Sequence, residues 1–331
     1  MSNKPVPVTI ITGFLGAGKT TLLNDILHSN PDMEFLIIEN EAGEVNIDGE
    51  LINKEKRNKV YELSNGCICC SLNTELGTLL NSIILSKMRY DYVLIEATGI
   101  ADPGQVIDMF SGPRVQRYFT LDGVIGLIDA STFLKRFNDF NEIRKQVAQS
   151  DIILLNKIDL VTDDTLTEIE LQLSYINPLA QVQRTINSNT DGIKILHCEL
   201  FQPASVEKSI GNFSNLTLIT PIREHAHKIQ TLSFSILGNF DLKKLSWWLE
   251  NFLFANAKNV LRIKGILSIE DMQRKIALQS VGDNFHISEG SLWHKNEQRV
   301  NRIVFIGTNL NKDELQKNLL SLLATTNKVT L

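Results

Sequence analysis

The sequence predicts an α/β fold with a mainly parallel sheet, followed by a smaller α+β domain. Two observations predict the first part: strand-like segments that are apolar along their whole length, and helix-like segments that separate them. Such strands are buried on both faces, as in a parallel sheet covered by helices. A third observation predicts the second part. The pattern changes after about residue 215, where 231–236 alternates between apolar and polar residues like a half-buried strand.

In the first domain, the chain is expected to run from a strand into a helix and to continue with further buried strands. The predicted strands are Val6–Thr12, Phe35–Ile38, Val60–Leu63, Tyr92–Ile95, Gly123–Ile128 and Ile152–Leu155. The predicted helices are Thr20–Leu27, Asn73–Ser86 and Asp163–Ile176, each with apolar residues at helical spacing. This order places the first domain at 1–215.

The second domain is expected at 228–331, with a soft boundary in 212–228 and an antiparallel sheet. Its predicted strands are Thr231–Ile236, Val260–Ile266, Lys275–Val281 and Arg302–Ile306. Its predicted helices are Leu242–Phe254 and Lys312–Leu323. Trp247 and Trp248 lie together on the first of these helices, and we expect one of them to belong to the core.

Composition excludes several classes of protein. The 331 residues are 43% hydrophobic and 21% charged, as in ordinary globular proteins. Lys and Arg number 33 against 38 for Asp and Glu, and the net charge of -5 argues against broad binding to nucleic acid. We find no apolar stretch long enough to span a membrane and no cleavable signal pattern, so a cytoplasmic location is expected.

A glycine-rich motif joins the first predicted strand to the first predicted helix. It reads G-x-x-x-x-G-K-T, and we expect it to bind nucleotide through Gly13, Gly16, Ala17, Gly18, Lys19, Thr20 and Thr21. Small residues let backbone N–H groups surround phosphates, and the helix amino terminus adds partial positive charge. Lys19 would reach the β- and γ-phosphates as a catalytic residue, and the Thr20 hydroxyl would ligate Mg²⁺. The motif predicts a P-loop NTPase domain.

The sequence N-K-x-D at the end of the strand Ile152–Leu155 predicts GTP rather than ATP. Asp159 can accept hydrogen bonds from N1–H and the 2-amino group of guanine, and adenine offers neither donor on that edge. Asn156 can brace the loop and bond the base, while the Lys157 stem can lie over the ring. Strand ends of this kind are where α/β sheets bind ligands.

Glu96 follows another buried strand and is itself followed, three residues later, by Gly99. In P-loop enzymes such a carboxylate lies near Mg²⁺, and the glycine N–H senses the γ-phosphate, so both are candidate catalytic residues. Gly99 is followed directly by Ile-Ala-Asp-Pro, without a Gln to orient the attacking water. Slow intrinsic GTP hydrolysis, accelerated by a partner or ligand, is therefore expected.

An acidic stretch begins where the strand Phe35–Ile38 ends, with Glu39 and Glu41 as its first carboxylates. It is either a switch segment that meets Mg²⁺ or a second metal, or a solvated acidic loop. The spacing of its residues does not separate these interpretations.

Three of the four cysteines lie within four positions, at Cys67, Cys69 and Cys70. A disulfide between Cys69 and Cys70 would be a strained vicinal bond, and one between Cys67 and Cys69 would close a very small ring. Thioredoxin-type chemistry uses C-x-x-C at a helix start, whereas this motif is C-x-C-C. A group of buried small residues and a metal site remain as interpretations. Thiolates suit Zn²⁺ or Cu(I), and three ligands leave a fourth position open for a site that releases its ion. Cys198 is distant in sequence.

These motifs together resemble the CobW-like family of P-loop GTPases (CobW/HypB/UreG superfamily). The match rests on G-F-L-G-A-G-K-T-T at 13–21, G-C-x-C-C at 66–70, the Glu96 and Gly99 pair, and N-K-x-D at 156–159. N-E-A-G-E at 40–44 is similar to the family's N-E-F-G-E, with Ala42 in place of the aromatic residue. The family's small carboxyl-terminal α+β domain fits the second domain predicted here.

The resemblance implies a slow GTPase that carries a transition metal, with zinc expected and Co²⁺ or Ni²⁺ as other ions, and that delivers it to a client apo-metalloprotein. It also allows an activator that inserts cobalt or another metal into one enzyme, such as a nitrile hydratase or a cobalamin-pathway enzyme. A homodimer is a further expected assembly. An ATP-dependent small-molecule kinase is a competing hypothesis from another class. Relatives often carry a histidine-rich stretch, whereas this chain has only His225 and His227, which argues against metal storage.

Overall fold

The computed structural model describes residues 4–39, 58–62, 71–86, 90–100, 102–110, 112–213, 229–281 and 284–324. Contacts divide the chain into two compact units, Met1–Leu200 and Phe201–Leu331. The first is an α/β unit with a parallel sheet and the second contains an antiparallel sheet, so the predicted fold class is confirmed.

The first unit alternates strands and helices along the chain, because apolar strand segments are separated by segments with helical periodicity. The strands are β1 (Val6–Gly13), β2 (Phe35–Glu39), β3 (Lys59–Glu62), β4 (Tyr92–Glu96), β5 (Phe119–Asp129), β6 (Ile152–Asn156) and β7 (Gln181–Arg184). The helices are α1 (Lys19–Ser29), α2 (Ser71–Ser86), α3 (Pro103–Met109), α4 (Pro113–Gln116), α5 (Phe133–Asp139), α6 (Asn141–Gln149) and α7 (Asp163–Ile176).

The seven strands form one sheet in the order β3-β2-β4-β1-β5-β6-β7, and every neighbouring pair is parallel. The phosphate-binding motif follows β1, which lies at the centre of this order. All strand carboxyl ends meet on the same side of the sheet, so the loops after β1, β2, β4, β5 and β6 converge there. We call this side the carboxyl end of the sheet and the opposite side its amino end.

The core of the first unit lies between the sheet and its helices. Leu22, Leu23 and Ile26 of α1 pack in one buried cluster with Ile11 of β1 and Leu94 of β4. Complete burial of β2, β4 and β6 explains why these strands carry no polar residue before their last position. Packing of this kind fixes where each strand ends, and so fixes the first residue of each loop at the carboxyl end.

The second unit is built on an antiparallel sheet in the order β11-β10-β9-β12-β8. Its strands are β8 (Ile229–Leu237), β9 (Val260–Leu267), β10 (Arg274–Val281), β11 (Asn284–Leu292) and β12 (Val300–Thr308). Its helices are α8 (Pro203–Phe213), α9 (Leu242–Ala255) and α10 (Lys312–Ser321). Leucines of α9 and α10 pack with apolar residues of the strands in one core cluster, which Trp248 joins while Trp247 is exposed.

Seven of these strands and helices were absent from the sequence prediction: the short helices α3, α4, α5 and α6, the strands β7 and β11, and helix α8. Strands β7 and β11 lie at sheet edges and carry exposed polar residues, so they lack the apolar run that identifies a buried strand. Helix α8 lies before the expected domain boundary in 212–228, yet it packs against β9, β10 and β11. Its buried Val206 and Ile210 explain why contacts begin the second unit at Phe201.

Among the described residues, none of the helices combines the length and the apolar character that crossing a membrane requires.

Candidate nucleotide site

The glycine-rich turn lies between Gly13, the last residue of β1, and Lys19, the first residue of α1. Gly18 precedes the helix with a φ of 108°, a conformation that residues with a side chain rarely adopt. A Cβ added to Gly18 would lie 2.7 Å from Asn156 Nδ2. The turn therefore requires glycine here, and it leads into the amino terminus of α1, whose partial positive charge favours an anion.

Four consecutive backbone carbonyls of this turn accept hydrogen bonds from side chains of other segments. The pairs are Arg136 Nη1 to Leu15 O (3.0 Å), Lys157 Nζ to Gly16 O (2.7 Å), Asn156 Nδ2 to Ala17 O (2.9 Å) and Ser188 Oγ to Gly18 O (3.1 Å). The C=O and N–H of one peptide point in opposite directions. Holding the carbonyls from outside therefore turns the N–H groups toward the inside of the turn, where phosphate oxygens accept them.

The remaining residues of the motif are placed as follows. Ala17 and Lys19 are buried, and Thr21 is exposed on α1. Phe14 packs against Phe140 with 4.7 Å between ring centroids and the rings tilted by 46°, and the Arg136 guanidinium lies 5.3 Å from the Phe14 centroid. Arg136 thus contacts the turn through both a carbonyl and an aromatic ring.

Thr20 and Glu96 come together at the carboxyl end of the sheet. The Thr20 hydroxyl donates to Glu96 Oε1 at 3.4 Å, and Glu96 is buried. Glu39 is also buried and pairs in register with Glu96 across β2 and β4. A hydroxyl and carboxylates are hard oxygen ligands that suit Mg²⁺, so the donor set fits the ion that accompanies a nucleoside triphosphate.

Gly99 lies against the glycine-rich turn. A Cβ at Gly99 would be 2.5 Å from Leu15 Cδ2 and 2.8 Å from the Leu15 backbone nitrogen, so the close approach requires glycine. The Gly99 carbonyl accepts a hydrogen bond from Gln146 Nε2 at 3.1 Å. The structure therefore holds Gly99 between the turn and helix α6.

The N-K-x-D residues leave β6 toward the same place. Asn156 is buried, and its amide contacts the turn. Lys157 adopts a φ of 60°, and its amine forms an ion pair with Asp129 at 2.9 Å as well as its bond to Gly16. Asp159 is exposed in the short helical turn Ile158–Leu160, accessible to a base. Two residues of the motif thus brace the phosphate turn, and the third remains accessible.

The ion pair with Asp129 fixes the position of the Lys157 amine. Burial tends to raise the pKa of Asp129, but hydrogen bonds from Ser131 and the hydrogen bond and charge of Lys157 outweigh it, so the pKa lies below its ordinary value. The Ser131 hydroxyl donates to Asp129 Oδ1 at 2.6 Å. Asp129 therefore stays ionised and fixes the position of the Lys157 amine.

Sequence reasoning missed the loop after β7. Ser188 donates its backbone N–H to Asn156 Oδ1 at 2.9 Å and adopts a φ of 55°. Asp25 of α1 fastens this loop by accepting from Thr190 N at 3.1 Å and from Thr190 Oγ1 at 2.5 Å. The available signal was a run of small polar residues at 187–190, which follows an edge strand that the hydrophobic pattern does not reveal.

The cysteine motif and part of the acidic stretch are outside the described residues. These are Cys67, Cys69, Cys70 and Glu41. Strand β3 ends at Glu62, shortly before the cysteines, in register with Glu39 and hence at the carboxyl end of the sheet. His225 and His227 are also outside the described residues.

Cys198 is described, and it lies toward the amino end of the sheet. Its backbone N–H donates to Asp122 Oδ2 at 2.9 Å, and its thiol donates to Lys194 O at 3.3 Å. Burial, followed by the charge of Asp122, raises the pKa of Cys198 to about 11. The thiol is therefore protonated at neutral pH and is a weak candidate for a metal ligand.

Two family models match the chain, and together they cover most of it. Residues 7–184 match the CobW/HypB/UreG nucleotide-binding domain. Residues 229–323 match the cobalamin synthesis protein CobW carboxyl-terminal domain. The first match contains the phosphate turn, Glu96, Gly99 and the N-K-x-D motif.

Similar proteins are known in bacteria and eukaryotes. The zinc chaperone YjiA of Escherichia coli is 33% identical over 318 residues, which cover 94% of this chain and 97% of the relative. The zinc-regulated GTPase metalloprotein activator 1 of Dictyostelium discoideum is 34% identical over 233 residues, covering 59% of this chain and 49% of the relative.

The crystal structure of Zn(II)-bound YjiA GTPase from E. coli superposes with a TM-score of 0.72 at 28% identity, covering 97% of this chain and 100% of that one. Sequence, domain order and fold agree. The chain belongs to the CobW/HypB/UreG family of P-loop GTPases, with the nucleotide-binding domain in its first unit and the CobW carboxyl-terminal domain in its second.

Proposed function

We propose that this chain is a zinc metallochaperone that binds its ion through Cys67, Cys69 and Cys70 and delivers it to a client protein under the control of GTP. One observation carries the proposal. Glu62, Glu39 and Glu96 occupy equivalent positions at the ends of β3, β2 and β4, so the chain enters the cysteine segment at the same end of the sheet as Gly99, with β2 and its Glu39 between the two strands. The names of the zinc-associated relatives support zinc as the cargo.

The first step is binding of GTP at the carboxyl end of the sheet. The inward N–H groups of the turn and the amino terminus of α1 receive the phosphates, and Lys19 neutralises the β- and γ-phosphates. Asp159 selects guanine, while Asn156 and Lys157 keep the turn in shape through their bonds to Ala17 and Gly16. The motif that recognises the base therefore also holds the shape of the turn that binds the phosphates.

Mg²⁺ fits Thr20 and Glu96, with Glu39 nearby, and when bound it would neutralise charge on the phosphates. The chain's own residues contribute to hydrolysis by placing charged and hydrogen-bonding groups around the transferred phosphoryl group. Lys19 and Gly99 stabilise charge that develops on the transferred phosphoryl group. Because no Gln directly follows Gly99 to orient water, the hydrolysis proposed here is slow and accelerates when the metal or client is bound.

The cargo ion is held by the three thiolates, with Glu39 as a carboxylate at the neighbouring strand end. Cys198 is not part of this set, because it lies toward the amino end of β5 and its thiol is protonated. Three thiolates leave a position open, so a client ligand can enter before the ion leaves. Nucleotide state changes the geometry of the thiolates, and by linkage the metal changes the affinity for GTP.

A second candidate function is activation of one dedicated metalloenzyme by insertion of its metal, including cobalt. The name of the Dictyostelium relative, a metalloprotein activator, favours it. The two functions share the same nucleotide chemistry and differ in whether one client or several accept the ion.

The test measures GTP hydrolysis and zinc affinity together. Phosphate release by the full chain is recorded with Mg²⁺, alone and with added Zn²⁺, Co²⁺ or Ni²⁺. Zinc affinity is recorded with a chromogenic chelator in the GTPγS- and GDP-bound forms. We expect Zn²⁺ affinity to differ at least about fivefold between the two forms, a change that corresponds to a coupling of about 1 kcal/mol.

Two cysteine variants serve as test and control. The triple variant Cys67→Ser, Cys69→Ser, Cys70→Ser should lose the difference between nucleotide states and retain basal hydrolysis. Cys198→Ser removes a thiol toward the amino end of the sheet and should keep the wild-type response. Equal zinc affinity in the two nucleotide states would refute nucleotide control, and unchanged zinc binding in the triple variant would refute the cysteine site.

A further inference from the structure

Helix α6 is fastened to the segment after β4 by two side chains. Gln146 donates to the Gly99 carbonyl at 3.1 Å. Lys145 forms an ion pair with Asp102 at 2.9 Å, and Asp102 also caps α3 by accepting from the Gly104 N–H at 3.0 Å. The first bond anchors the glycine of the nucleotide site itself, and the second anchors a residue three positions later.

Gln146 is buried, with 1% of its surface exposed, and its donor is directed at the backbone of a residue 47 positions earlier. A buried amide that is directed at a distant carbonyl specifies a position, because its loss would leave that carbonyl without this donor. Its neighbours on α6 have other contacts. Gln149 lies beside Gly104, and Ser150 donates to the Gln146 backbone carbonyl at 2.6 Å.

The bond to Gly99 limits how the γ-phosphate sensor can move. It fixes the peptide plane that follows Gly99, and with it the Gly99 Cα, so the N–H on the same Cα can turn only through the φ and ψ of Gly99 itself. On the other side, the Leu15 backbone nitrogen and side chain lie in close contact with Gly99. The glycine is thus held between α6 and the turn that binds the phosphates, before any nucleotide arrives.

We propose that Gln146 is a positioning residue for recognition of the γ-phosphate, because it holds Gly99 where the Gly99 N–H meets that phosphate. This inference rests on the proposed function, since it takes Gly99 as the γ-phosphate sensor for GTP. It goes further by assigning discrimination between GTP and GDP to a helix residue that acts through the Gly99 carbonyl.

Affinity for GDP should not depend on Gln146. The α- and β-phosphates are bound by the turn, whose carbonyls are held by Arg136, Lys157, Asn156 and Ser188. A merely structural role for Gln146 would weaken both nucleotides together, since it would loosen the whole site. The ratio of the two affinities therefore separates a positioning role from a structural one.

The experiment measures the dissociation constants of GTPγS and GDP, with Mg²⁺, by calorimetry on the full chain. Gln146→Met keeps the length of the side chain and removes the donor. We expect GTPγS affinity to fall about three- to tenfold, the range for loss of one hydrogen bond, while GDP affinity stays within about twofold of wild type. Gln146→Asn keeps the amide but is too short to reach Gly99. It serves as a second variant if Gln146→Met folds poorly, and we expect the same change in the ratio of the GTPγS and GDP affinities.

Gln149→Met is the matched control, because it makes the same change to a buried glutamine on the same helix without removing the bond to Gly99. It should leave the ratio unchanged. Equal loss of both affinities in Gln146→Met, or no loss, overturns the inference while leaving the proposed function intact. A wild-type chain that fails to bind GTPγS overturns both.

Discussion

Toward the amino end of the seven-stranded sheet, Asp122 is buried and accepts hydrogen bonds from the Tyr92 hydroxyl at 2.5 Å and from the Cys198 and Glu199 N–H groups at 2.9 and 2.6 Å. At the carboxyl end, polar side chains that follow the strands instead bind the backbone of the glycine-rich turn, as the Asn156 amide does by donating to the Ala17 carbonyl. The same strands therefore carry a closed polar network at one end and an open ligand site at the other.

The two ends of the sheet differ in which groups their polar side chains bind. Asp122 is the extra residue of a β-bulge between β1 and β5, which aims its carboxylate at its neighbours in the fold. Lys157 and Ser188 adopt positive φ values, and their side chains support the phosphate turn. Groups at the amino end should thus govern stability, and groups at the carboxyl end should govern nucleotide chemistry.

The largest expected effect is on stability. Asp122→Ala removes the acceptor of the buried Tyr92 hydroxyl and of two partly buried backbone N–H groups, and a buried donor left without a partner costs about 1–3 kcal/mol. We expect the free energy of unfolding to fall by about 3–5 kcal/mol, measured by urea denaturation. Nucleotide affinity of the folded fraction should stay within about twofold of wild type.

Asp139→Ala is the control, because Asp139 is an exposed aspartate at the end of α5. It should change the free energy of unfolding by less than about 0.5 kcal/mol. If Asp122→Ala abolished GTP binding while the protein remained folded at full stability, the proposed division between the two ends of the sheet would be wrong.

The converse prediction concerns Lys19. Lys19→Ala removes the charge that we propose stabilises the transferred phosphoryl group, and losing such a group costs about hundredfold or more in rate. We expect phosphate release from GTP to fall by that factor, with little change in the melting temperature. Lys208→Ala removes an equal charge from an exposed position of α8 and should leave the rate unchanged. Retained hydrolysis in Lys19→Ala would show that the turn is not the reactive site.

The sequence was sufficient for the parts of the site that are local motifs. The glycine-rich turn and the N-K-x-D residues lie within short segments, and the hydrophobic strands before them place both at the same end of a parallel sheet. Ser188 could not be placed in this way, because it meets Gly18 from 170 positions away. Gln146 and Asp122 escaped prediction for the same reason, since their partners are chosen by the fold.

The fold followed a similar rule. Buried strands such as β2 and β6 are identified by continuous apolar residues, whereas the edge strands β7 and β11 are not, because one side of an edge strand meets solvent. The boundary between the units depends on α8, whose apolar residues could pack on either sheet until the contacts are known.

A smaller effect is expected from Tyr92→Phe, which removes the hydroxyl that is bonded to Asp122, to Thr9 Oγ1 at 2.8 Å and to the His197 N–H at 3.4 Å. Burial, followed by the charge of Asp122, raises the pKa of Tyr92 far above its ordinary value, so the phenol remains a donor at neutral pH. Asp122 keeps two backbone donors in this variant. We expect a loss of about 1–2 kcal/mol in the free energy of unfolding, less than in Asp122→Ala. Tyr118→Phe, at an exposed position, should change it little, and a loss equal to that of Asp122→Ala would contradict a shared network.

The smallest expected effect comes from Asp129→Asn, which acts at the carboxyl end through Lys157. Without the ion pair the Lys157 amine holds Gly16 less firmly, so we expect GDP affinity to fall by about fivefold or less, the scale of a partly exposed ion pair. The pKa of Asp129 lies below its ordinary value in the folded protein. Its stabilising contribution is therefore present above the unfolded pKa and is lost as the pH falls through the folded pKa.

The variant should consequently lose part of the acid sensitivity of the wild type. Thermal melts between neutral pH and pH 3 should show the wild-type melting temperature falling more steeply below about pH 4 than that of Asp129→Asn. Asp163→Asn, at an exposed position of α7, should keep the wild-type slope. Parallel curves for wild type and Asp129→Asn would mean that Asp129 gains nothing from Lys157, and the brace on Gly16 would then depend on the lysine alone.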